Sequence, residues 1–205
     1  MIKDFKMQFA GLIPLDVNVE IVHKDREGNV KPIFQENKLG NWLIKKGWLS
    51  PLWINGWLNN LSFLFGYWSA SKFNSNLITD AGRAAAASRI NGSGGEALFD
   101  KIGQGVGVAA AANSDTALGT EKDGANTTTT THAISAATAS RVTTTVTNDT
   151  AQLVGTVSET ATMAITESGL FNAATAGSLL ARQTFSAVNV VNGDSLQFTW
   201  KIKAA

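Results

Sequence analysis

The stretch QLVGTVSETATMAITESGLF (152–171) decides the fold class of this chain, because it contains two strand-like runs, Gln152–Ser158 and Met163–Phe171. Four similar runs lie on either side of it: Leu98–Val108, Thr138–Thr147, Leu179–Phe185 and Leu196–Ile202. Asn148-Asp149 and Asn192-Gly193-Asp194 have the composition of turns between such runs. Short strands at this spacing predict an antiparallel β-sandwich or barrel.

One helix is predicted ahead of these strands. Thr79 or Asp80 can cap the run AGRAAAASRI (81–90), and Asn91-Gly92 can end it. The alanines favour a helix, and their small side chains allow close packing against a sheet. After the strand around Gly103, the segment 119–134 is expected to form a long exposed loop or β-arm because of its low complexity.

Composition divides the chain into two predicted modules, 1–75 and 76–205. Of the 17 aromatic residues, ten lie in 34–73, and only Phe99 lies in 74–170. The second module is instead rich in Ala, Thr, Gly and Val, with 14 threonines in the segment 127–162. We therefore expect an N-terminal module with an aromatic-rich anchor, followed by a helix and a β-sandwich or barrel module.

The first module is predicted to open with a hairpin. Val17, Val19 and Ile21 alternate with more polar residues, KDREGN (24–29) forms a charged loop, and 30–34 returns as the partner strand. Pro32 cannot donate to a strand ladder, which favours an edge position. The spacing of Leu39, Trp42, Leu43 and Lys46 predicts a short helix ended by Gly47, and 48–68 is expected to be an irregular loop or broken helix.

Charge and cysteine content exclude several classes of protein. The 205 residues carry a net charge of +1, and only 16% are charged, against roughly 25% in ordinary soluble domains. A strongly basic nucleic-acid-binding protein is therefore not expected, and Lys45-Lys46 beside Trp48 is too small a basic patch to change that. With no cysteine, disulfides, thiolate metal sites and cysteine nucleophiles are excluded.

The stretch 47–71 has no charged residue and is long enough to span a membrane. Pro51 and the amides Asn55, Asn59 and Asn60 argue against this, because unpaired amides are costly in lipid. We expect instead an aromatic segment that is buried within the protein or lies at an interface.

No catalytic, cofactor-binding or metal-binding constellation is apparent, so a non-enzymatic protein is predicted. His23 and His132 lack ligand-spaced partners and are interpreted as surface or loop histidines. Gly103, Gly105 and Gly107 lack the residues of a phosphate-binding loop, and predict a close backbone approach or a bulge. The acidic residues are interpreted as solvated turn residues: Asp115, Glu121, Asp123, Glu159 and Glu167.

Four segments, in order, give a resemblance to a known family. They are DTALGTE (115–121), ITESGLFN (165–172), LLARQTF (179–185) and GDSLQFTW (193–200). With the run LITDAGRAAAASRING (77–92), they resemble a family of small virion structural proteins of tailed bacteriophages, over about residues 77–203. Members of that family are usually described as capsid-decorating or tail-fibre-like, so the resemblance implies a virion component.

The leading hypothesis is a capsid decoration or cement protein. Its expected partners are the major capsid protein or tail proteins of the same virion, and further copies of itself, with a trimer favoured because cyclic closure covers sheet edges. Predicted contact residues are Trp48, Trp53, Trp57, Phe63 and Phe65, unless they form the first module's own core. The alternatives are a tail, fibre or baseplate adaptor and a host-glycan-binding module, in which Trp53 and Trp57 would stack on sugar rings.

Overall fold

The computed structural model describes residues 15–36, 66–75, 77–134 and 136–204, together with the single positions 39, 43 and 46. The elements with defined bounds are β1 (Leu15–Lys24), β2 (Val30–Lys31), β3 (Ile33–Glu36), β4 (Gly66–Ser69), β5 (Lys72–Ser75), β6 (Leu77–Ile78), α1 (Asp80–Asn91), β7 (Lys101–Gly105), β8 (Glu121–Lys122), β9 (Thr138–Val142), β10 (Thr150–Ser158), β11 (Met163–Phe171), β12 (Leu179–Val190) and β13 (Ser195–Ala204).

The described strands form two main antiparallel sheets, which confirms the predicted fold class and decides for a sandwich-like arrangement over a closed barrel. Sheet I has the order β2-β1-β13-β10-β9, and β5 also pairs with β1. Sheet II has the order β6-β12-β11-β7-β8, and β3 and β4 form a separate two-stranded sheet.

The core lies between sheets I and II, because alternate side chains of each strand point inward. In sheet I, Val19 faces Trp200 across the β1–β13 pair and Ile21 faces Phe198, and all four are fully buried. Ile165 and Leu170 from β11 belong to the same buried cluster. One apolar core therefore joins the two sheets.

The N-terminal strand is built into this sandwich. β1 pairs with β13 over its whole length, from Leu15 opposite Ala204 to Lys24 opposite Ser195. The chain crosses from sheet I to sheet II between β5 and β6, which is where the composition changes. The predicted hairpin is present, because β2 pairs with β1 at the edge of sheet I. Pro32 separates β2 from β3.

The helix has the predicted ends. The Thr79 hydroxyl accepts a hydrogen bond from the Gly82 N–H (2.9 Å), and Gly92 adopts a left-handed conformation (φ 69°) after the last turn. Leu39 and Leu43 are also helical and Lys46 lies in a turn, as their spacing predicts. Trp42 and Gly47 lie outside the described residues.

Two of the predicted strands are shorter in the structure than the sequence indicated. The run 98–108 is a strand only over β7, and the run 138–147 ends at Val142. In the second case the Asp149 carboxylate accepts hydrogen bonds from the N–H groups of Val146, Thr144 and Thr145, which lower its pKa and hold the backbone in a turn. The run 179–185 is longer than predicted and continues to Val190.

We expect Gly82→Ala to destabilise the protein, although alanine favours a helix over glycine by about 1 kcal/mol. A Cβ at Gly82 would lie 2.7 Å from the Leu180 Cα of β12 and closer still to its carbonyl oxygen. Relieving such contacts typically costs about 1–3 kcal/mol. Urea denaturation should show the loss, with the exposed Ala84→Gly as the control for helix propensity. A G82A protein more stable than the wild type would contradict the tight docking of α1.

Candidate functional site

The most densely hydrogen-bonded group of the described chain is the carboxylate of Glu167 on β11, which is fully buried. Its Oε1 accepts hydrogen bonds from the Gly107 N–H (2.9 Å) and the Thr120 N–H (2.8 Å). Its Oε2 accepts from the Gly119 N–H (2.9 Å) and from Nε and Nη2 of Arg182 (2.9 and 2.7 Å). Five donors occupy the roughly four lone-pair directions of a carboxylate, so no acceptor position remains for a ligand.

Arg182 on β12 connects this carboxylate to the loop after β7. It is also buried, and donates from Nη1 to Asp115 (2.8 Å) and from Nη2 to the Ala109 carbonyl (3.1 Å). Burial would raise the pKa of Asp115, but the Ala112 N–H and Arg182 hold it below its usual value. We call Asp115, Glu167 and Arg182 the ion cluster. It fastens both sides of the 106–120 loop to sheet II.

Two of the alternate glycines make room for the ion cluster: Gly105 at the end of β7 and Gly107 just after it. A Cβ at Gly105 would lie 2.6 Å from Glu167 Oε1, and one at Gly107 would lie 2.7 Å from Glu167 Cδ. Close approach is thus the reason for these glycines, as the sequence predicted. The approaching group is a buried carboxylate, so the interpretation of Glu167 as a solvated residue was wrong.

Three of the four segments that carry the family resemblance meet in the ion cluster. Asp115 comes from DTALGTE, Glu167 from ITESGLFN and Arg182 from LLARQTF. The fourth segment supplies Asp194 at the start of β13 and the fully buried Trp200 within it. The motifs therefore correspond to internal polar contacts and core positions.

His23 is buried, so its interpretation as a surface histidine was wrong. Its Nε2 lies 2.7 Å from Oδ2 of Asp194, which also accepts from Lys31 Nζ (2.9 Å). Burial lowers the pKa of His23, whereas Lys31 and His23 hold the pKa of the buried Asp194 below its usual value. The group joins β1 and β2 to the turn before β13.

His132 is also buried, again contrary to the sequence interpretation. Its Nδ1 lies 2.7 Å from Glu121 Oε1, and its ring stacks on Phe171 with centroids 3.7 Å apart. The predicted exposed loop 119–134 is therefore pinned to the body of the protein at His132 and at Ile134, which exchanges two backbone hydrogen bonds with Ile102.

Glu159 and Gln104 form a fourth buried polar contact, between the two sheets. Glu159 follows β10, Gln104 lies on β7, and the Gln104 Nε2 donates to Glu159 Oε1 (3.0 Å). Glu159 Oε2 and Gln104 Oε1 are buried without a partner. Burial raises the pKa of Glu159 to about 7, and the nearby negative charges of Asp123 and Asp194 act in the same direction. Glu159 was also interpreted as solvated, and that was wrong.

The five predicted contact residues, Trp48, Trp53, Trp57, Phe63 and Phe65, lie outside the described residues, as does the basic–aromatic pair Lys45 and Trp48. Lys46 is exposed. Of the aromatic stretch, Tyr67 and Trp68 on β4 are described, and both are exposed (62% and 40%).

An apolar groove crosses the surface between α1, the segment 98–100 and sheet I. It consists of two adjoining cavities of about 280 and 480 Å³, which share Phe99, Ala151, Leu180 and Ile202. Ile90 on α1 and Leu98 stand exposed at its rim (86% and 61%). The groove borders β9, which ends sheet I on one side among the described strands, so apolar surface and a strand edge lie side by side.

Within the described ranges, no three His, Asp or Glu side chains converge as a metal site would require. The described part of the chain also contains no helix long and apolar enough to cross a membrane.

Comparison with known proteins places the chain in no group. No family model matches it, and neither a curated protein nor a solved structure is significantly similar to it.

Proposed function

We propose that this protein is a non-enzymatic structural protein of a bacteriophage virion and that it decorates the capsid, in contact with the major capsid protein and with further copies of itself. The observation that carries the proposal is the combination of the apolar groove with the β9 edge. Large exposed apolar patches and unpaired strand edges are typical of protein–protein contact surfaces.

The use of the buried ionisable groups supports the same proposal. In the ion cluster, in the His23–Asp194–Lys31 group and in the His132–Glu121 pair, ionisable side chains bond to one another, and Glu167 also bonds to loop backbone. Such contacts rigidify a shell protein. The virion context of the proposal comes from the resemblance carried by the four sequence segments.

The proposal can be tested in purified particles of the phage that encodes the protein, by measuring its copy number and its location. We expect hundreds of copies per particle and labelling over the capsid surface. Six to a few dozen copies, with label confined to the tail, would instead favour the adaptor alternative and refute decoration.

A substitution in the apolar groove tests whether this surface makes the contact with the particle. We expect Leu98→Asp to reduce incorporation into particles by about tenfold or more, because burying an unpaired carboxylate in a contact costs several kcal/mol. Val108→Asp is the matched control, since Val108 is also an exposed apolar residue (82%, against 61% for Leu98) but lies outside the groove. If both variants enter particles as the wild type does, the groove is not the contact surface.

A further inference from the structure

A separate cavity lies between the β3–β4 sheet and β12. It has a volume of about 190 Å³ and is lined by His23, Lys31, Phe34, Trp68, Ser186 and Asn189, among others. Sites for drug-sized ligands typically measure about 300–1,000 Å³. This cleft therefore suits a single ring rather than an extended ligand.

One wall of the cleft is a fixed aromatic side chain. Trp68 lies directly opposite Phe34 across the β3–β4 pair, and their rings meet edge to face with centroids 5.4 Å apart. This contact limits the motion of the indole, yet 40% of Trp68 remains exposed. An indole held in place at a cleft offers a flat apolar surface with little further entropy to lose on binding.

The opposite wall is shaped by an irregularity in β12. Ile165 of β11 pairs with Val188, but Glu167 pairs with Thr184, so β12 contains two additional residues in this interval. β-Bulges of this kind redirect side chains and are frequent beside functional sites. Here the irregular segment places Ser186 and Ala187 at the cleft, and Asn189 follows them.

The polar groups of the cleft are uncharged or already neutralised. Within the described residues, the Ser186 hydroxyl, the Asn189 amide and the Trp68 indole N–H make no hydrogen bond, so they remain available to a ligand. The Lys31 ammonium is bonded to Asp194. The cleft therefore offers neutral donors and acceptors around an aromatic face, and no unpaired charge.

We infer that this cleft binds one pyranose ring of a neutral glycan. A pyranose presents C–H groups on one face and hydroxyl groups around its rim. The C–H face would stack on Trp68, and rim hydroxyls would bond to Ser186 and Asn189. The inference concerns Trp68, whereas the glycan-binding alternative from the sequence concerned Trp53 and Trp57, and it does not depend on where in a particle the protein resides.

Saturation-transfer NMR on the full chain tests the inference. The probes are glucose, galactose, mannose, N-acetylglucosamine and their β-linked disaccharides. We expect transfer to the C–H protons of one ring face of at least one probe, accompanied by a shift of the Trp68 indole N–H resonance. Trp68→Ala should weaken binding by about tenfold or more, and Asn189→Ala by a few fold, as expected for one lost hydrogen bond.

Tyr67→Ala is the matched control, because it removes a more exposed aromatic side chain from the same strand that does not line the cleft. Y67A should bind as the wild type does. No transfer to any probe, or equal transfer in the W68A protein, would overturn the inference. Trp68→Phe keeps an aromatic ring on Phe34 and should retain part of the affinity, which separates lost stacking from a disturbed strand pair.

Discussion

Arg182→Met is expected to lower the free energy of unfolding by about 3–5 kcal/mol, because it leaves the carboxylate of Glu167 buried without its cation. Glu167 would keep its three backbone donors, from Gly107, Gly119 and Thr120, but lose both bonds from the guanidinium. Single domains are typically stable by about 5–15 kcal/mol, so the loss is a large share of the total.

The other hydrogen bonds of Arg182 explain why the substitution should also destabilise the loop 106–120. Arg182 also holds Asp115 and the Ala109 carbonyl, so its removal detaches the loop 106–120 at several points. We therefore expect the amides of Gly107 and Thr120 to exchange with solvent faster than those of β13, which lies in the other sheet.

Urea denaturation with hydrogen exchange measures both effects, and Arg141→Met is the matched control because Arg141 is exposed on β9. Arg182→Lys keeps the positive charge but loses the paired N–H groups that bond Glu167 and Asp115 together, so its stability should fall between the wild type and R182M. If R182M is no less stable than R141M, the ion cluster does not hold the loop.

The strands and the helix could be predicted from sequence because their signals are local. The bounds of β11 are those predicted, and the helix ends follow from Thr79 and Gly92, whose effects reach only a few residues. The early end of β9 was missed because it depends on the Asp149 carboxylate bonding back to Thr144, a turn whose extent composition does not give.

The buried polar groups could not be predicted, because their partners are distant in sequence. Arg182 is 67 residues from Asp115, and His23 is 171 residues from Asp194. Viewed alone, Glu167 and His23 have the features of surface residues. The available signal was indirect, because glycines in alternation indicate close neighbours without naming them. The structure identifies Glu167 beside Gly105 and Gly107, whereas Gly103 lies against Glu121 and Leu118.

The second large effect concerns Glu159, whose pKa in the folded protein is raised to about 7 from an ordinary 4.5. The folded state therefore binds this proton more tightly than the unfolded chain does. Protonated Glu159 therefore adds to the free energy of unfolding. This contribution is fully present below about pH 4.5 and is lost as the pH rises through 7. A pKa difference of this size between the folded and unfolded states corresponds to about 3 kcal/mol in the free energy of unfolding.

Gln104 explains why the protonated form suits the site. The two unpartnered atoms, Glu159 Oε2 and Gln104 Oε1, belong to the same contact. A proton on Oε2 makes it a donor, which can complete a paired acid–amide contact with Gln104. A glutamine at 159 would supply an N–H in the same place without any proton from solvent.

We therefore expect Glu159→Gln to match the wild type near pH 4.5 and to exceed its free energy of unfolding by about 3 kcal/mol near pH 8. Burial lowers the pKa of His23 below its usual 6.5, so His23 makes stability rise as the pH increases toward that value and opposes Glu159. The quantity to measure is thus the difference between E159Q and wild type in urea denaturation at each pH, in which the His23 contribution largely cancels.

Glu27→Gln, in the exposed β1–β2 loop, should show no such pH-dependent gain. A difference between E159Q and wild type that stays constant from pH 4.5 to 8 would mean that Glu159 does not hold a proton in the folded protein.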